Sequence, residues 1–214
     1  MATTERAPEA ATGEWRLDSE QQQLERAIAR AQGHLLALQH ADGYWVGELE
    51  ADASVAAGYI PLMYFMTGHV DDGRRRKVIY DVRSRQNEDG SWGAYYGGTG
   101  DLNVSIQVYF AMKLAGVAAA EPWMERACRW IVAQGGVGRA SVLTKVWLAL
   151  FGQFDWNSTP TVPPEIMLLP NWSPLNIYAF ASWSRATLVA LSVVTTQQPV
   201  CHVPAYGRVD ELYV

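Results

Sequence analysis

Two turns of one pattern, Gln39-His40-Ala41-Asp42-Gly43-Tyr44-Trp45 and Gln86-Asn87-Glu88-Asp89-Gly90-Ser91-Trp92, decide the fold of this chain. Each reads Gln, two residues, Asp-Gly, one residue and Trp, and the second follows the first after 47 residues. A weaker third copy begins 48 residues later at Gln134, where two glycines follow and the Trp is missing. A period of this length, with room for two helices per unit, is typical of helical repeats that bury a continuous core by stacking.

The segments between these turns carry apolar residues at helical spacing, and none of them alternates as a half-buried strand would. Each Asp-Gly pair offers a left-handed turn position, and the Trp that follows can cover an exposed helix end. The sequence therefore predicts an all-α fold, an α/α-barrel (toroid) of paired helices, with almost no strand. The predicted helices span residues 18–38, 51–66, 74–85, 102–114, 122–133, 141–151 and 175–194, with one or two further turns over 165–169.

The chain divides into three predicted parts. Residues 1–17 are rich in Ala, Thr and Glu, which predicts a flexible leader that lacks the apolar stretch of a signal peptide. Residues 18–198 are expected to form the barrel domain, and residues 199–214 a crossing segment without helical period. No apolar run reaches the roughly 20 residues needed to span a bilayer, so we expect any membrane contact to be made from one side.

Composition limits the classes of function. Of the 214 residues, 49% are hydrophobic and 18% charged, which is typical of a packed globular protein, and the net charge of -5 argues against a nucleic-acid partner. Cys128 and Cys201 have no motif spacing and no His partner at metal-ligand spacing, so the sequence predicts no metal site and a reducing compartment. Nine Trp and ten Tyr indicate either core packing or a pocket for a hydrocarbon or a cation.

The two turns resemble the QW motif of the triterpene cyclases, in which the Gln caps one helix end and the Trp stacks on it. Two later phrases resemble the squalene-hopene branch of that family: Pro163-Pro164-Glu165-Ile166-Met167 and Ser182-Trp183-Ser184-Arg185-Ala186-Thr187. The resemblance runs in order from about Leu24 to the last residue. Related barrels in prenyltransferases share the turn alone, so the two later phrases make the resemblance specific.

The resemblance implies a longer enzyme with two barrels, which folds squalene into a cavity between them and protonates a terminal double bond. The acid is the middle Asp of an Asp-x-Asp-Asp motif in the other barrel, and an aromatic cage stabilises the carbocations. This sequence lacks that motif: Asp71-Asp72 has no further Asp, and Asp155 is followed by Trp156. Gly58 and Gln107 stand where some family members carry glutamates near the substrate channel. We therefore assign no catalytic residue, metal or cofactor to this chain.

Two residues are the candidates for the substrate cavity. By resemblance, Trp183 lines it, and Phe180, about one helical turn earlier, faces the substrate channel. Arg185 is expected to form a structural ion pair with a carboxylate such as Glu165. The structural QW-turn residues are Gln39, Gly43, Trp45, Gln86, Gly90 and Trp92.

We expect this chain to be the amino-terminal part of a squalene-hopene-type cyclase, either truncated or one half of a split enzyme, and inactive alone. The expected partners are squalene or a similar polyprene, a possible second chain with the other barrel, and further copies of the chain through an exposed apolar patch. The expected location is cytoplasmic and peripheral to a membrane. The alternative is a non-catalytic barrel that binds an isoprenoid or a protein. A glycosidase barrel would need paired carboxylates, and nothing in the sequence pairs in that way.

Overall fold

The computed structural model describes residues 11–47 and 50–214. This part of the chain has no named strand, only an isolated antiparallel bridge between Gly93 and Gly100. The all-α prediction is thus confirmed. The helices are α1 (Ala11–Leu38), α2 (Ala53–Thr67), α3 (Asp72–Ser84), α4 (Leu102–Leu114), α5 (Pro122–Ala133), α6 (Val142–Ala149) and α7 (Ser182–Gln197).

The chain forms two compact units, residues 1–49 and residues 50–214. The first holds α1 and the first Gln-to-Trp turn. Helix α1 begins at Ala11, earlier than the predicted start near Leu17, and so includes part of the predicted leader. The rest of that leader, residues 1–10, lies outside the described residues.

Helix α4 is the centre of the second unit. Its cap is Asp101, whose side chain accepts hydrogen bonds from the backbone N–H groups of Asn103 and Val104 at 2.8 and 2.9 Å. The helix is apolar on nearly all sides, as expected for a helix with neighbours on every face. It packs against α2, α5, α6 and a short turn at Ala205–Gly207. Its fully or almost fully buried side chains include Ile106, Val108, Tyr109, Phe110 and Met112.

Helices α5, which packs on α4, and α3, which packs on α2, each bury one side, which is the paired-helix pattern that the repeat predicts. Helix α5 starts with Pro122 in its first turn, where a missing N–H costs nothing. It buries Trp123, Ala127 and Ile131 and leaves its charged residues outside. Helix α3 buries only Val82 fully. Helices α3 and α5 thus each add one apolar stripe to a core that α4 dominates.

Residues 199–214 lie on the same core. The N–H of Cys201 donates to the carbonyl of Leu150 at 2.8 Å, and the N–H of Val209 donates to Oε1 of Gln153 at 3.0 Å. Val209 and Leu212 are fully buried. The segment predicted to cross toward a second barrel therefore also completes the core of this unit.

Candidate functional site

The first Gln-to-Trp turn closes the end of α1. The Gln39 side-chain amide donates to the carbonyl of Gly43 at 2.8 Å, and the Trp45 indole N–H donates to the carbonyl of Leu35 at 2.6 Å. Gly43 has φ of 86°, a left-handed conformation that favours glycine. The helix end is therefore capped by the indole N–H, whereas the family resemblance predicts that the Gln caps it.

The second turn has the same hydrogen bonds in a buried setting. Gln86 donates to the carbonyl of Gly90 at 2.9 Å, and the fully buried Trp92 indole donates to the carbonyl of Val82 at 2.9 Å. The Gln86 amide is also 2.9 Å from the carbonyl of Trp123 in α5. The Trp92 and Trp123 rings meet edge to face with centroids 6.3 Å apart. This turn therefore ties α3 to α5.

The segment before α7 carries the predicted cavity residues and is shaped by Asn176, which sequence analysis missed. Asn176 is only 7% exposed. Its Oδ1 accepts from the N–H groups of Tyr178 and Ala179 at 2.9 and 3.1 Å. Its Nδ2 donates to the carbonyls of Asn171 and Ser173 at 3.1 and 2.6 Å. Asn side chains compete with helical hydrogen bonds in this way, so α7 begins at Ser182 and not at the predicted residue 175.

The two predicted cavity residues lie on either side of the start of α7. Trp183, in the first turn of α7, is 74% exposed. Phe180, which follows the short turn Ile177–Ala179, is half-buried. Four more large apolar side chains that precede α7 are also exposed: Leu168, Trp172, Leu175 and Tyr178. We call these four residues, together with Phe180 and Trp183, the apolar segment.

Arg185 has a different partner from the predicted one. Its guanidinium lies over the ring of Tyr178, 5.9 Å from the centroid. Among the ion pairs of the described residues, none joins Arg185 to Glu165. The predicted Arg185–Glu165 pair was therefore wrong, because Glu165 lies in the short turn Pro164–Leu168 while the guanidinium is engaged by the aromatic ring.

The carboxyl-terminal half of α7 holds the apolar segment on the unit. Leu191 and Val194 pack against a small cluster that contains Val146 and Trp156. The hydroxyl of Thr195 accepts the N–H of Val162 at 3.3 Å. Helix α7 is thus anchored at one end, and its amino-terminal turn presents Trp183 to solvent.

A polar cluster joins α4 to the start of α6. Oδ1 of Asn103 accepts from the N–H of Ser141 at 2.7 Å and from the hydroxyl of Thr144 at 3.1 Å. The Gln107 amide donates to the same Thr144 hydroxyl at 3.1 Å. At Gly58, which the resemblance pairs with Gln107 near the expected channel, a Cβ would meet no heavy atom within 4 Å. Gln107 is therefore held by a hydrogen bond, whereas Gly58 faces open space.

A charged group that sequence analysis missed lies beside α4. Nζ of Lys113 is 2.6 Å from Oε1 of Glu211, and the Tyr109 hydroxyl donates to the same oxygen at 2.8 Å. The three side chains, with Cys128 of α5, line an open cleft of about 640 Å³. Lys113 is the single charged residue of α4. A lone, largely buried lysine in an otherwise uncharged helix was the signal that an acidic partner exists.

These contacts set the charge states of the cleft. Burial by itself acts to raise the pKa of Glu211, but the hydrogen bonds from Lys113 and Tyr109 outweigh it and the pKa is lowered. Burial, together with the Glu211 carboxylate, raises the pKa of Tyr109 far above its usual range. At neutral pH, Glu211 is therefore a carboxylate and Tyr109 a neutral phenol.

Within residues 11–47 and 50–214, no three His, Cys, Asp or Glu side chains come together in a way that could hold a metal ion. Across the same described residues, no helix combines the length and the apolar character needed to cross a bilayer.

Comparison with known proteins identifies the family. Residues 28–214 match the squalene-hopene cyclase N-terminal domain. The chain is 44% identical to the squalene–hopene cyclase of Alicyclobacillus acidocaldarius over 188 residues, which cover 88% of this chain and 30% of that protein. It is 41% identical to the squalene–hopene cyclase of Zymomonas mobilis, over 89% of this chain and 29% of that protein.

A relative with a different product name is also similar. Dammaradiene synthase of Dryopteris crassirhizoma is 37% identical over 89% of this chain and 28% of its own length. The chain thus spans less than a third of each of these relatives. The extended match and these identities, together with the paired helices and capped turns, place the chain in the squalene-hopene cyclase family, in the part that forms the family's N-terminal domain.

Proposed function

We propose that this chain is the N-terminal domain of a triterpene cyclase and forms one wall of a cavity that binds squalene or a similar linear polyprene. The exposed apolar segment carries this proposal. Trp183, Trp172 and Tyr178 are each more than 70% exposed, and aromatic faces both bury hydrocarbon and attract carbocations. In the proposal, Trp183 and Phe180 face the substrate when the remainder of the enzyme covers this segment.

The proton that starts cyclisation would come from another part of the enzyme. The 214 residues contain no Asp-x-Asp-Asp motif. The carboxylate of Glu211 is a poor candidate, because it is held by Lys113 and its pKa is lowered, whereas a general acid needs a raised one. The chain's contribution would therefore be shape and cation stabilisation, with the acid supplied by a second barrel, on the same or on another chain.

Reconstitution tests the proposal. The chain is co-expressed with the portion of the Alicyclobacillus acidocaldarius cyclase that follows the matched region, squalene is added, and cyclic products are measured by gas chromatography and mass spectrometry. We expect product only when both polypeptides are present. Product from this chain alone, or no product from a well-folded complex, would contradict the proposal.

A matched pair of variants tests the role of Trp183. Trp183→Ala removes an aromatic face from the proposed cavity, so we expect at least a tenfold loss of cyclisation, or incompletely cyclised products. Tyr96→Ala removes a side chain that is 88% exposed and lies outside the apolar segment, and we expect no change. Equal activity of the two variants would show that Trp183 does not face the substrate.

We further propose that the protein is cytoplasmic and contacts one leaflet of a membrane, since a water-insoluble hydrocarbon substrate must be taken up from lipid. We also propose that the isolated chain self-associates through the apolar segment, because exposed apolar patches of this kind favour association. Sedimentation velocity in detergent-free buffer checks self-association. A monomer at all concentrations would exclude it, while Trp172→Ser should lower the association if the segment is responsible.

A further inference from the structure

The outer surface of α3 has an unusual distribution of charge. The side of the helix that faces the core carries Val82, which is fully buried, together with the partly buried Val78 and Ile79. Directly before them runs the sequence Arg74-Arg75-Arg76-Lys77, in a chain whose net charge is -5. The helix therefore carries positive charge that the rest of the molecule does not share.

The acidic residues of α3 and its cap are all engaged. Oδ1 of Asp71 accepts the N–H of Arg74 at 2.8 Å and caps the helix. Asp72 forms an ion pair with Arg75 at 2.9 Å. A second ion pair, of 3.2 Å, joins Asp81 to Arg85. None of these carboxylates is left to neutralise the outer surface.

Three cations remain on that surface. Arg76, Lys77 and Arg83 are exposed, and among the described residues none of their side chains has a hydrogen bond or ion pair. Helical periodicity places them around Tyr80, since Arg76 lies four residues before it, Lys77 three before and Arg83 three after; Tyr80 is 77% exposed. We call these four residues the α3 cationic face.

We propose that the α3 cationic face binds the anionic headgroups of a lipid bilayer. This inference rests on the membrane contact proposed above and assigns a surface to it. Three cations on one convex helix face suit a plane of headgroups, and a tyrosine among them can place its ring at the interface with its hydroxyl in water. At physiological salt, screening beyond about 8 Å leaves this local charge, and not the net negative charge, to decide short-range binding.

Vesicle binding by the whole chain tests the inference. Affinity is measured for vesicles of phosphatidylcholine alone and for vesicles of equal parts phosphatidylcholine and phosphatidylglycerol. We expect a clear preference for the anionic vesicles that weakens as salt is added. The triple variant R76Q/K77Q/R83Q should bind them about 100-fold more weakly, since each cation near such a surface strengthens binding roughly fivefold.

The control variant R129Q/R139Q/R208Q removes the same charge from three other exposed positions. It should keep most of the affinity, because a net-charge effect would weaken both variants equally. Circular dichroism of both triple variants checks that the helices are intact. Tyr80→Ser in the native background should also lower the affinity. The separate variant R76K/R83K, which keeps Lys77, should bind the anionic vesicles as the native chain does, which would show that charge, and not arginine geometry, is required.

The outcomes separate the two proposals. Equal affinity for both kinds of vesicle would overturn the α3 assignment and leave the membrane contact standing. Binding to neither kind would overturn both. If the native chain binds DNA or polyglutamate but no vesicle, and the triple variant loses that binding, the inference is also overturned and the anionic partner is a different one. Cyclisation of detergent-dispersed squalene by the reconstituted enzyme needs no membrane, so it tests the proposed role in cyclisation whatever the vesicle results are.

Discussion

The two Gln-to-Trp turns are locally alike and differ in what surrounds them. In both, the N–H that follows the Gln donates to the carbonyl four residues on: His40 to Tyr44 and Asn87 to Ser91, each at 2.9 Å. In both, the glycine N–H donates back across the turn, at 2.8 Å in the first and 3.0 Å in the second. In both turns the motif thus gives the same backbone path, the same Gln hydrogen bond within the turn and the same indole cap on the preceding helix.

The surroundings of the turns are different. Trp45 is 50% exposed, whereas Trp92 is fully buried. In the second turn, the N–H of Trp92 also donates to the hydroxyl of Ser105 in α4 at 3.0 Å, and Gln86 reaches Trp123 in α5. The comparison teaches that the motif fixes local geometry, while distant partners decide how much stability the same geometry contributes.

Replacing the tryptophans should break the comparison most strongly. We expect Trp92→Ala to lower the free energy of unfolding by about 3–5 kcal/mol, because it opens a core cavity and leaves the Val82 carbonyl without its donor. Trp45→Ala should cost about 1 kcal/mol, felt as local opening at the end of α1. Urea unfolding, combined with hydrogen exchange of α1 and α3, measures the two effects separately. Equal losses would mean that burial does not distinguish the turns.

The turn glycines give a sharper contrast, because both have positive φ, 86° at Gly43 and 95° at Gly90. Alanine in this conformation costs about 1–2 kcal/mol at either site. At Gly90 the added Cβ would also lie 2.6 Å from the backbone of Arg126, and such overpacking adds about 1–3 kcal/mol. At Gly43 the nearest heavy atom is 4.0 Å away. The loss of stability that urea unfolding measures for Gly90→Ala should therefore exceed the loss of local stability at the end of α1 that hydrogen exchange measures for Gly43→Ala.

The same contrast between distant and local partners applies to the ion pairs near the carboxyl terminus. Glu211 reaches Lys113 across 98 residues with side chains 33% and 10% exposed, whereas Arg208 pairs with Asp210 on the surface. We expect Glu211→Gln to cost about 1–2 kcal/mol, since a charge-assisted hydrogen bond is lost at a partly exposed site. Asp210→Asn should cost less than about 0.5 kcal/mol. Urea unfolding at neutral pH compares them.

The pH dependence of this pair has a defined sign. The pKa of Glu211 is lowered in the folded protein, so its contribution is present above its unfolded pKa of about 4.3 and is lost as the pH falls through the folded value. The free energy of unfolding of the native chain should thus fall more steeply below about pH 4.5 than that of Glu211→Gln. Parallel curves for the two proteins would mean that Glu211 is not held as a carboxylate.

Much of the fold could be predicted from the sequence, because local rules determine it. The bounds of α4 and α5 agree with the predicted 102–114 and 122–133, since Asp101 and Pro122 are strong start signals. The start of α7 was misplaced, because apolar periodicity carries no record of the Asn176 side chain that holds the preceding backbone in a turn.

The candidate site was predictable only in part. The phrase around Trp183 marks the segment, and the structure adds that its aromatic residues are exposed. The Glu211–Lys113 pair joins residues that are far apart in the chain. The contact of Arg185 with the Tyr178 ring depends on the backbone path of the turn before α7, which the sequence does not specify. A sequence lists which residues can pair with Arg185, but the choice between Glu165 and Tyr178 is made by the path of the backbone.

The glutamines should give the smallest difference, and they isolate the effect of a single distant contact. Both amides donate to the carbonyl of their own turn, but Gln86 also donates to Trp123 and accepts from Arg126 at 3.3 Å. We expect Gln86→Ala to cost about 1–1.5 kcal/mol and Gln39→Ala about 0.5 kcal/mol, since each net hydrogen bond contributes about 0.5–1.5 kcal/mol. In a double-mutant cycle, Gln86→Ala and Arg126→Ala should couple, because they share a contact. If the two glutamine variants instead lose the same stability, the Trp123 contact adds nothing and the greater weight of the second turn comes from burial of Trp92 alone.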